Sequence, residues 1–324
     1  MPRALITGIG GQDGSYLAEL LLEKGYEVAG TVLGSPDDYP ALEAVRERLR
    51  FVELDLTDVD TVGNVASVLE LDELYHLAAA SFVPAWWEDP VGLTSQTTSA
   101  TVALLEGLRR SRPQARFFHA CSSEIFAGAD EEPQRETTRP VPLTPYGAAK
   151  AFGLYAVQSY RVQHALHASA GILFNHESPR RPQHFVTRKI TRAAAAISLG
   201  LQDHVTLGNL DARRDWGFAG DYVRAMWLML QADDPDDYVI ATGEAHTVRE
   251  LAEAAFGAVD LDWREHVRHD ESLGRGATDA RALVGDATKS RDRLGWRPEV
   301  SFDELVSMMV QADLTSLSYD PATS

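Results

Sequence analysis

Two short segments carry side chains suited to proton transfer. Tyr146 and Lys150 lie four positions apart, and the run Ser122–Glu124 precedes them in the chain. Residues at i and i+4 share one face of a helix, so the Lys150 ammonium is placed to stabilise a Tyr146 phenolate and to bring its pKa toward the working pH. The pair is therefore predicted to act as a general base for an alcohol proton.

Glu124 adds a second base to this set. A site with two bases does more than oxidise an alcohol, because the second base is able to remove the proton of a carbon acid beside a newly formed ketone. Taken singly, Glu124 would equally be an ordinary surface residue, Ser122 a helix cap, and Tyr146 a residue packed on a helix. Their order along one chain favours a joint catalytic role.

A glycine-rich turn near the start of the chain is suited to a dinucleotide. Gly8, Gly11 and Gly14 follow the apolar run Ala4–Ile6 and precede an amphipathic helical pattern that Gly25 ends. Glycines at such a strand-to-helix turn let a diphosphate approach backbone N–H groups at the helix N-terminus. A tight turn without a ligand is the alternative for this motif alone. Combined with the tyrosine and lysine, the turn predicts nicotinamide-dependent chemistry on an alcohol.

The elements that must position these residues alternate between strands and helices. Strand candidates lie at 4–6, 27–29, 51–54, 74–77 and 116–118, and helical patterns lie between them, as at 94–110. This alternation predicts an α/β fold, a doubly wound parallel (Rossmann) sheet with helices on both faces and right-handed crossovers. Ser122–Glu124 then falls at the carboxyl edge of the sheet, where ligands of such folds bind.

The composition of the sequence changes after about residue 175. Loops become rich in proline and arginine at 178–182, and an alanine-rich helix is expected at 188–199. Strand and helix patterns recur at 238–240 and 248–256, so part of this half is expected to return to the first sheet. We therefore expect a dinucleotide-binding domain over 1–174, with later segments returning to it, and a smaller, interleaved substrate-binding lobe over 175–324.

The composition is that of a globular enzyme. The chain has 324 residues, 44% of them apolar, and a formal net charge of −18, with no clusters of lysine and arginine to bind nucleic acid. Cys121 is the single cysteine, so no intramolecular disulfide forms and a reducing compartment is expected. No run approaches the roughly 18 apolar residues of a membrane span, and the N-terminus shows no signal-peptide pattern. We expect a cytoplasmic protein with no membrane partner.

Strand ends offer further cofactor candidates. Asp55 and Leu56 follow the third strand, where a carboxylate would accept a hydrogen bond from an adenine amino group, although an aspartate there is more often a helix cap. Small residues at 77–81 would let the backbone run beneath a ribose or nicotinamide, with close packing as the alternative. The second strand ends at Thr31–Gly34. That end has neither the acid that binds a ribose nor the arginine that binds a 2′-phosphate, so it does not select between NAD and NADP.

With these segments taken together, the chain resembles the extended short-chain dehydrogenase/reductase superfamily and, within it, the GDP-mannose 4,6-dehydratase family. The resemblance runs nearly end to end and is most specific at 171–181, 185–192, 208–217 and 285–289. It implies that GDP-mannose is oxidised at C4 by hydride transfer to the nicotinamide, with Tyr146 taking the hydroxyl proton and Lys150 holding the phenolate and the cofactor ribose. Glu124 would then remove the C5 proton and assist loss of the C6 hydroxyl, while Ser122 polarises the C4 oxygen. Hydride returns to C6 and regenerates the cofactor.

The predicted contacts combine the residues above with positions matched through the resemblance. The cofactor set is Gly8, Gly11, Gln12, Asp13, Gly14, Asp55, Leu56, Leu77, Ala78, Ala79, Tyr146, Lys150, His176 and Arg181. The substrate set is Ser81, Ser122, Glu124, Asn175, Val186, Lys189, Arg214 and Arg275. Without the resemblance, a loop arginine or lysine would more often be a solvated charge, and Arg213–Asp215 an ordinary ion pair.

The chain departs from this family at several points. Relatives usually carry arginine at the end of the second strand and a long loop that reaches a neighbouring subunit of a tetramer, whereas here the loop is shortened to Gly34–Pro40. The resemblance implies NADP, and the missing arginine leaves NAD as the alternative. The shortened loop favours a homodimer over the tetramer. The Arg-Pro-x-Glu of the family, whose glutamate binds the nucleotide ribose, is replaced by 275–278, with the acid displaced to Asp279 or lost. Ala80–Phe82 and Ala85–Trp87 make the expected sugar pocket more apolar, which leaves a modified hexose or heptose on GDP as an alternative substrate.

Two other functions compete with a sugar-nucleotide 4,6-dehydratase. An epimerase or 4-reductase of the same superfamily would use the same tyrosine and lysine without expelling the C6 hydroxyl, so loss of water separates the two. A regulatory protein that binds the cofactor without turnover would retain only the fold. That function usually goes with a damaged catalytic set, whereas Glu124, Tyr146 and Lys150 are all present.

Overall fold

The computed structural model describes residues 1–273 and 281–318. Its strands are β1 (Arg3–Thr7), β2 (Glu27–Val32), β3 (Leu49–Glu53), β4 (Glu73–His76), β5 (Arg116–Ser122), β6 (Ala168–Leu173), β7 (Asn175–Glu177), β8 (Val205–Leu207), β9 (Arg213–Arg214), β10 (Trp216–Phe218), β11 (Tyr238–Ile240), β12 (His246–Thr247) and β13 (Val267–His269). Its α-helices are α1 (Gln12–Glu23), α2 (Val59–Leu69), α3 (Pro90–Ser111), α4 (Pro145–His164), α5 (Val186–Ser198), α6 (Ala219–Gln231), α7 (Val248–Gly257), α8 (Trp263–His266), α9 (Thr288–Leu294) and α10 (Phe302–Ser318).

The largest sheet is parallel throughout and places its strands in the order β11-β6-β5-β4-β1-β2-β3. Thr7 pairs with His76, and His76 pairs with His119 on β5, so β1 and β4 end side by side and β5 continues three residues further, to Ser122. Helices cover both faces. The predicted doubly wound parallel sheet is confirmed.

Alternating burial along β1 explains why two helical layers form. Leu5 belongs to the core beneath α2, α3 and α4, whereas Ala4 and Ile6 belong to the core beneath α1 and α6. A parallel strand with both faces covered needs apolar residues at successive positions, as this run has. Helix α1 ends where it was expected to end, because Gly25 follows it with a φ of +82°, a conformation that glycine adopts without strain.

A third core joins residues that lie far apart in the second half of the chain. Helices α5, α7 and α10 pack around it, with Trp216 and Phe256 buried. The side chains of Arg188 and Asp313 form a buried ion pair at 2.9 Å between α5 and α10. The expected helices at 188–199 and 248–256 are confirmed as α5 and α7, and β11 lies beside β6 in the central sheet.

Within residues 1–273 and 281–318, no helix has both the length and the apolar character of a membrane span.

Candidate active site

A cavity of about 500 Å³ opens at the carboxyl edge of the central sheet, between β1, β4, β5 and α4 on one side and β7, α5 and β9 on the other. It gathers most of the residues predicted from the sequence. Those that line it are Gly8, Gly11, Gln12, Asp13, Gly14, Leu77, Ala78, Ala79, Ser81, Ser122, Glu124, Tyr146, Lys150, Asn175, His176, Arg181, Val186 and Arg214.

Three predicted residues do not line this cavity. Asp55 is exposed and its carboxylate accepts a hydrogen bond of 2.8 Å from the Thr57 amide, while Leu56 packs against the core beneath α2 and α3. The Lys189 ammonium donates to the Thr206 carbonyl at 2.7 Å, because the first turn of α5 carries position 189 toward β8. Arg275 lies outside the described residues, as does the stretch that replaces the family's Arg-Pro-x-Glu.

The glycine turn between β1 and α1 fits a diphosphate. Gly8 has a φ of +73°, and a Cβ built on it would lie 2.9 Å from the Ala78 Cα; a Cβ on Gly14 would lie 2.3 Å from the Gly8 carbonyl oxygen. Only glycine fits such close approaches. Helix α1 starts after Gly11 with no side chain hydrogen-bonded to its first N–H groups. These donors and the helix dipole face the cavity, as anion binding requires.

Thr7 and His76 hold the strand ends around this turn. The Thr7 hydroxyl accepts hydrogen bonds from the amides of Leu77 and Ala78, at 3.1 and 3.2 Å, and lies 2.9 Å from His76 Nδ1. Because the oxygen accepts from two amides, its own proton is free to point at Nδ1. Neither residue was predicted from the sequence to belong to the site. The signal that would have found them is a polar pair at adjacent strand ends, Thr7 and His76, within otherwise apolar strands.

Asp13 and His176 join the turn to β7. The Asp13 carboxylate lies 2.8 Å from His176 Nε2, and the Gln12 amide donates to the His176 carbonyl at 3.0 Å. Burial disfavours both charges, but their mutual attraction lowers the pKa of the Asp13 carboxyl and raises that of the His176 imidazole. The Ser178 hydroxyl also donates to Gln12 Oε1 at 2.8 Å. Two chain segments that the sequence separates widely are therefore locked together at the cavity.

Arg181 is held at the far side of the cavity by Glu177, a residue that was not predicted from the sequence. Its Nε lies 3.0 Å from a carboxylate oxygen of the buried Glu177, which also accepts a hydrogen bond of 2.6 Å from the Thr187 hydroxyl. The guanidinium carbon lies 3.6 Å from the centroid of the Phe185 ring. Glu177 thus orients the cation that faces the cavity.

Helix α4 delivers the tyrosine and lysine as a fixed pair. Thr144 caps its N-terminus by accepting from the Gly147 amide at 3.0 Å. A Cβ on Gly147 would lie 2.7 Å from the Glu124 carbonyl oxygen, so the glycine lets α4 approach the turn that carries Glu124. Both Tyr146 and Lys150 are buried, and the Lys150 ammonium donates to the Ala120 carbonyl at 2.8 Å.

Burial controls the electrostatics of this pair. It raises the pKa of the Tyr146 phenol above its ordinary value, an effect that hydrogen bonding with Ser122 opposes and the charge of Glu124 reinforces. Burial also lowers the pKa of the Lys150 ammonium to about 8. The sequence predicted the opposite direction for Tyr146. The Lys150 ammonium is engaged by a backbone carbonyl and lies 5.7 Å from the tyrosine ring centroid, so desolvation outweighs its attraction for a phenolate.

This geometry defines a class of protein. A glycine turn at a helix N-terminus, next to a buried tyrosine and lysine and a second carboxyl group, is the site of an enzyme that uses a nicotinamide dinucleotide to oxidise an alcohol. The family model described as GDP-mannose 4,6 dehydratase matches residues 5–309. The chain belongs to this family, and the enzyme class predicted from the sequence, a sugar-nucleotide dehydratase, is confirmed.

Known proteins agree with this assignment. GDP-mannose 4,6 dehydratase 1 from Arabidopsis thaliana is 46% identical, over 96% of this chain and 89% of that protein. In fold, the chain is similar to UDP-glucose 4-epimerase from Thermotoga maritima, with a TM-score of 0.86 and 24% identity over 97% of this chain and 99% of that one. It is similar in the same way to dTDP-glucose 4,6-dehydratase from Streptomyces venezuelae, solved with NAD bound, with a TM-score of 0.85 and 23% identity over 99% and 100%.

Proposed function

We propose that this enzyme is a hydro-lyase that converts GDP-mannose, or a closely related GDP-sugar, to the GDP-4-keto-6-deoxy sugar. The observation that carries the proposal is the position of Glu124. It is buried in the turn after β5, against the first turn of α4, and lines the same cavity as Tyr146 and Lys150. An epimerase or a 4-reductase needs one proton-transfer centre, whereas elimination of water needs a second.

The residues divide the reaction between them. Tyr146 takes the proton of the C4 hydroxyl, Ser122 donates a hydrogen bond to the C4 oxygen, and the Lys150 ammonium compensates the phenolate. The bound nicotinamide supplies the chemistry of hydride removal from C4 and of hydride return to C6. Once C4 is a ketone, the C5 proton is acidic, and Glu124 removes it. Glu124 then gives this proton to the departing C6 hydroxyl, which leaves as water. When hydride returns to C6, C5 recovers a proton, which balances the one that Tyr146 took from the C4 hydroxyl.

The residues that would hold the dinucleotide are the glycine turn and the cluster around it. Gly8, Gly11 and Gly14 admit the diphosphate, and Lys150 lies within reach of a nicotinamide ribose from the same wall. NADP remains the proposal drawn from the resemblance. One observation favours NAD as the second candidate: Arg46, which follows the shortened loop, is already paired with Asp37 of that loop at 2.9 Å. The mass of the dinucleotide released by denaturing the purified protein decides between them.

The lobe around α5 and α7 would bind the sugar nucleotide, with its boundary near residue 175. Asn175, Val186 and Arg214 line the cavity from this side, and the buried Arg214 guanidinium is suited to a diphosphate. Lys189 would contribute only by releasing the Thr206 carbonyl. Phe82 packs against His184 and Phe185, with ring centroids at 4.4 and 5.6 Å. This aromatic group beside the cavity favours a modified hexose or heptose as the second candidate substrate.

Mass spectrometry of the product tests the activity. The purified protein is incubated with GDP-mannose and, separately, with other GDP-, UDP- and dTDP-hexoses and GDP-heptoses, with NADP or NAD supplied. Loss of one water from GDP-mannose alone is the expected result. Loss of water only from another GDP-sugar would replace the substrate, and a product of unchanged mass would contradict the dehydratase.

Glu124→Gln isolates the elimination step. Glutamine keeps the shape of the side chain but cannot take the C5 proton, so reduced cofactor should accumulate while water loss stops. The absorbance of the reduced nicotinamide and the product mass are followed in the same sample. Unimpaired formation of the deoxysugar by this variant would remove Glu124 from the proton transfer.

We further propose that the protein works as a homodimer in the cytoplasm. Helix α4 exposes Phe152, Tyr155 and Val162, a stripe at helical spacing that supports contact with a second copy. The buried thiol of Cys121, the single cysteine, suits a reducing compartment. Light scattering after size-exclusion chromatography should give twice the mass of the chain, and Phe152→Glu should halve it. A tetramer, or a dimer that this change leaves intact, would contradict the proposal.

A further inference from the structure

A small apolar cluster packs behind Tyr146, separate from the larger cores. It consists of Val83, Trp86, Tyr146 and Ala149, with Leu93 partly buried against it. Trp86 is fully buried, with 0% of its surface exposed, whereas the adjacent Trp87 is 64% exposed. Two neighbouring residues of the same type therefore have opposite environments. A fully enclosed tryptophan one helical layer behind the proposed base is not used by any step described above.

The contacts of Trp86 point in two directions. Its indole ring meets the ring of Tyr146 edge to face, with centroids 5.4 Å apart and planes inclined by 67°. Its Nε1 donates a hydrogen bond of 2.6 Å to the Ala80 carbonyl. Ala80 directly precedes Ser81, which lines the cavity. One side chain thus ties the ring of the base to the backbone that leads into the substrate wall.

Trp86 is not among the residues that line the cavity, so any effect on the reaction must pass through its neighbours, either the Tyr146 ring or the Ala80–Ser81 backbone, and the ring is the part that carries the proposed base. Edge-to-face aromatic pairs have a preferred geometry, so contact with Trp86 restricts the orientation of the Tyr146 ring. The phenol oxygen of Tyr146 lies at the end of that ring, where Ser122 hydrogen-bonds it. A small rotation of the ring would move this oxygen away from Ser122 and from the proton it must accept.

We propose that Trp86 is a positioning residue for the proton transfer, which fixes the ring of Tyr146 and keeps water from its rear face. The inference rests on the proposed role of Tyr146 as the base. It deepens that role by assigning part of the geometry to a residue that touches neither substrate nor cofactor.

The pH dependence distinguishes this role from simple stabilisation of the fold. Burial is the largest cause of the raised pKa of Tyr146. If water enters when the indole is removed, the phenol ionises at lower pH, so the acid limb of the rate profile moves to lower pH. The maximal rate falls at the same time because the oxygen is no longer held. Loss of folded protein alone would lower the rate without moving the limb.

The experiment compares the two tryptophans in the full-length protein. Trp86→Leu and Trp86→Phe are matched with Trp87→Leu and Trp87→Phe, and the C4 oxidation of GDP-mannose is followed in a single turnover by nicotinamide absorbance. Trp86→Leu should lower the rate about tenfold, as loss of an aromatic pair implies, with KM changed less than about twofold and the acid limb at lower pH. Trp86→Phe should show both changes to a smaller degree. Trp87 belongs to the stretch that was expected to shape the sugar pocket, but it is exposed and does not line the cavity, so the Trp87 variants should match the wild type.

An independent readout needs no turnover. Each variant is compared with the same variant carrying Tyr146→Phe, and the difference in ultraviolet absorbance on raising the pH reports the ionisation of Tyr146 alone. Trp86→Leu should shift this titration to lower pH. If Trp86→Leu does not fold, as shown by circular dichroism, Trp86→Phe decides by the same two measurements.

The outcomes separate this inference from the function on which it rests. If Trp86→Phe and Trp86→Leu have the rates and pH profiles of the Trp87 variants while Tyr146→Phe is inactive, Trp86 has no positioning role. If Tyr146→Phe still oxidises GDP-mannose, the base itself is assigned wrongly, and the failure lies with the proposed function. A rate loss in Trp86→Leu with an unmoved acid limb would also overturn the positioning role.

Discussion

The cavity has a sheet wall, formed by β1, β4, β5 and α4, and a lobe wall, formed by β7, α5 and β9, and the two are built in different ways. On the sheet side, backbone groups hold the reactive side chains: Lys150 donates to the Ala120 carbonyl, and Thr144 caps the helix that carries it. On the lobe side, the wall depends on a side-chain pair, Arg188 and Asp313, between helices distant in sequence. Under the proposed function, the chemistry therefore rests on short, backbone-anchored segments, whereas recognition of the sugar nucleotide rests on long-range packing.

Removing the phenol from the sheet wall should have the largest effect on catalysis. Tyr146→Phe keeps the ring that contacts Trp86 but deletes the proton acceptor, so C4 oxidation should slow about 10³-fold, within the range for a general base. The rate is measured as formation of reduced nicotinamide in a single turnover. Affinity for GDP-mannose, measured by calorimetry, should change little.

The lobe wall supplies the control for this variant. Val186→Ala trims a side chain that lines the cavity from α5 and should weaken GDP-mannose binding while leaving the oxidation step intact. If Tyr146→Phe retained its oxidation rate, another base would have to be sought on the same wall. If Val186→Ala slowed oxidation as severely, the proposed division between chemistry and recognition would be wrong.

Breaking the buried ion pair should damage the lobe wall most. Arg188→Ala leaves the Asp313 carboxylate, with 0% of its side chain exposed, without its cation, and such losses cost about 3–5 kcal/mol of the free energy of unfolding. Urea denaturation measures this cost. Arg249→Ala removes an exposed pair with Asp211 and should cost less than about 1 kcal/mol. Equal costs for the two variants would show that Arg188 is not essential to the lobe.

The sequence predicted the sheet wall better than the lobe wall. The glycine turn, the sheet and the helical spacing of Tyr146 and Lys150 are local patterns, and the structure brings them together at one edge. The pairs Asp13 with His176 and Arg188 with Asp313 join segments more than a hundred residues apart, so no local pattern revealed them.

One expectation was wrong and another stays a prediction, and the same physical reason lies behind both. Lys189 was predicted to meet the substrate, but the direction of α5 brings its ammonium to the Thr206 carbonyl. Tyr146 was expected to have a lowered pKa, but its burial, which depends on the packing of Trp86 and Ala149, raises it. The type of a charged group and its spacing can be read from a sequence. The direction of its side chain and its removal from water depend on the assembled fold.

Two buried histidines should make the sheet wall sensitive to acid. Desolvation lowers the pKa of His76 to about 3 and that of His119 well below its ordinary value. Between pH 6.5 and the folded-state pKa the unfolded chain binds protons that the folded protein does not, so stability is lost as pH falls below about 6.5. At pH 5 each histidine should cost about 2 kcal/mol relative to pH 7.

Urea denaturation at pH 7 and pH 5 measures this loss. His119→Gln should remove about half of the contribution of the two histidines, because glutamine binds no proton. His269→Gln on the exposed strand β13 is the control from the lobe and should leave the difference unchanged. A pH dependence that His119→Gln does not reduce would mean that other groups are responsible for the acid sensitivity.

The smallest expected effects come from two helix caps of the same chemistry, one on each wall. Thr144 accepts from the Gly147 amide and Thr247 from the Glu250 amide, both at 3.0 Å. Replacing either threonine by alanine should lower the free energy of unfolding by about 1 kcal/mol.

Thr144 caps α4 and lies two positions before Tyr146, so Thr144→Ala should also lower kcat, by about fivefold at most, with KM unchanged. Thr247→Ala should leave kcat at the wild-type value, because α7 carries none of the proposed catalytic groups. The two variants are expected to lose the same stability. Equal losses of kcat would therefore show that fraying of α4 does not affect Tyr146. The two walls would then differ only in the chemistry of their side chains.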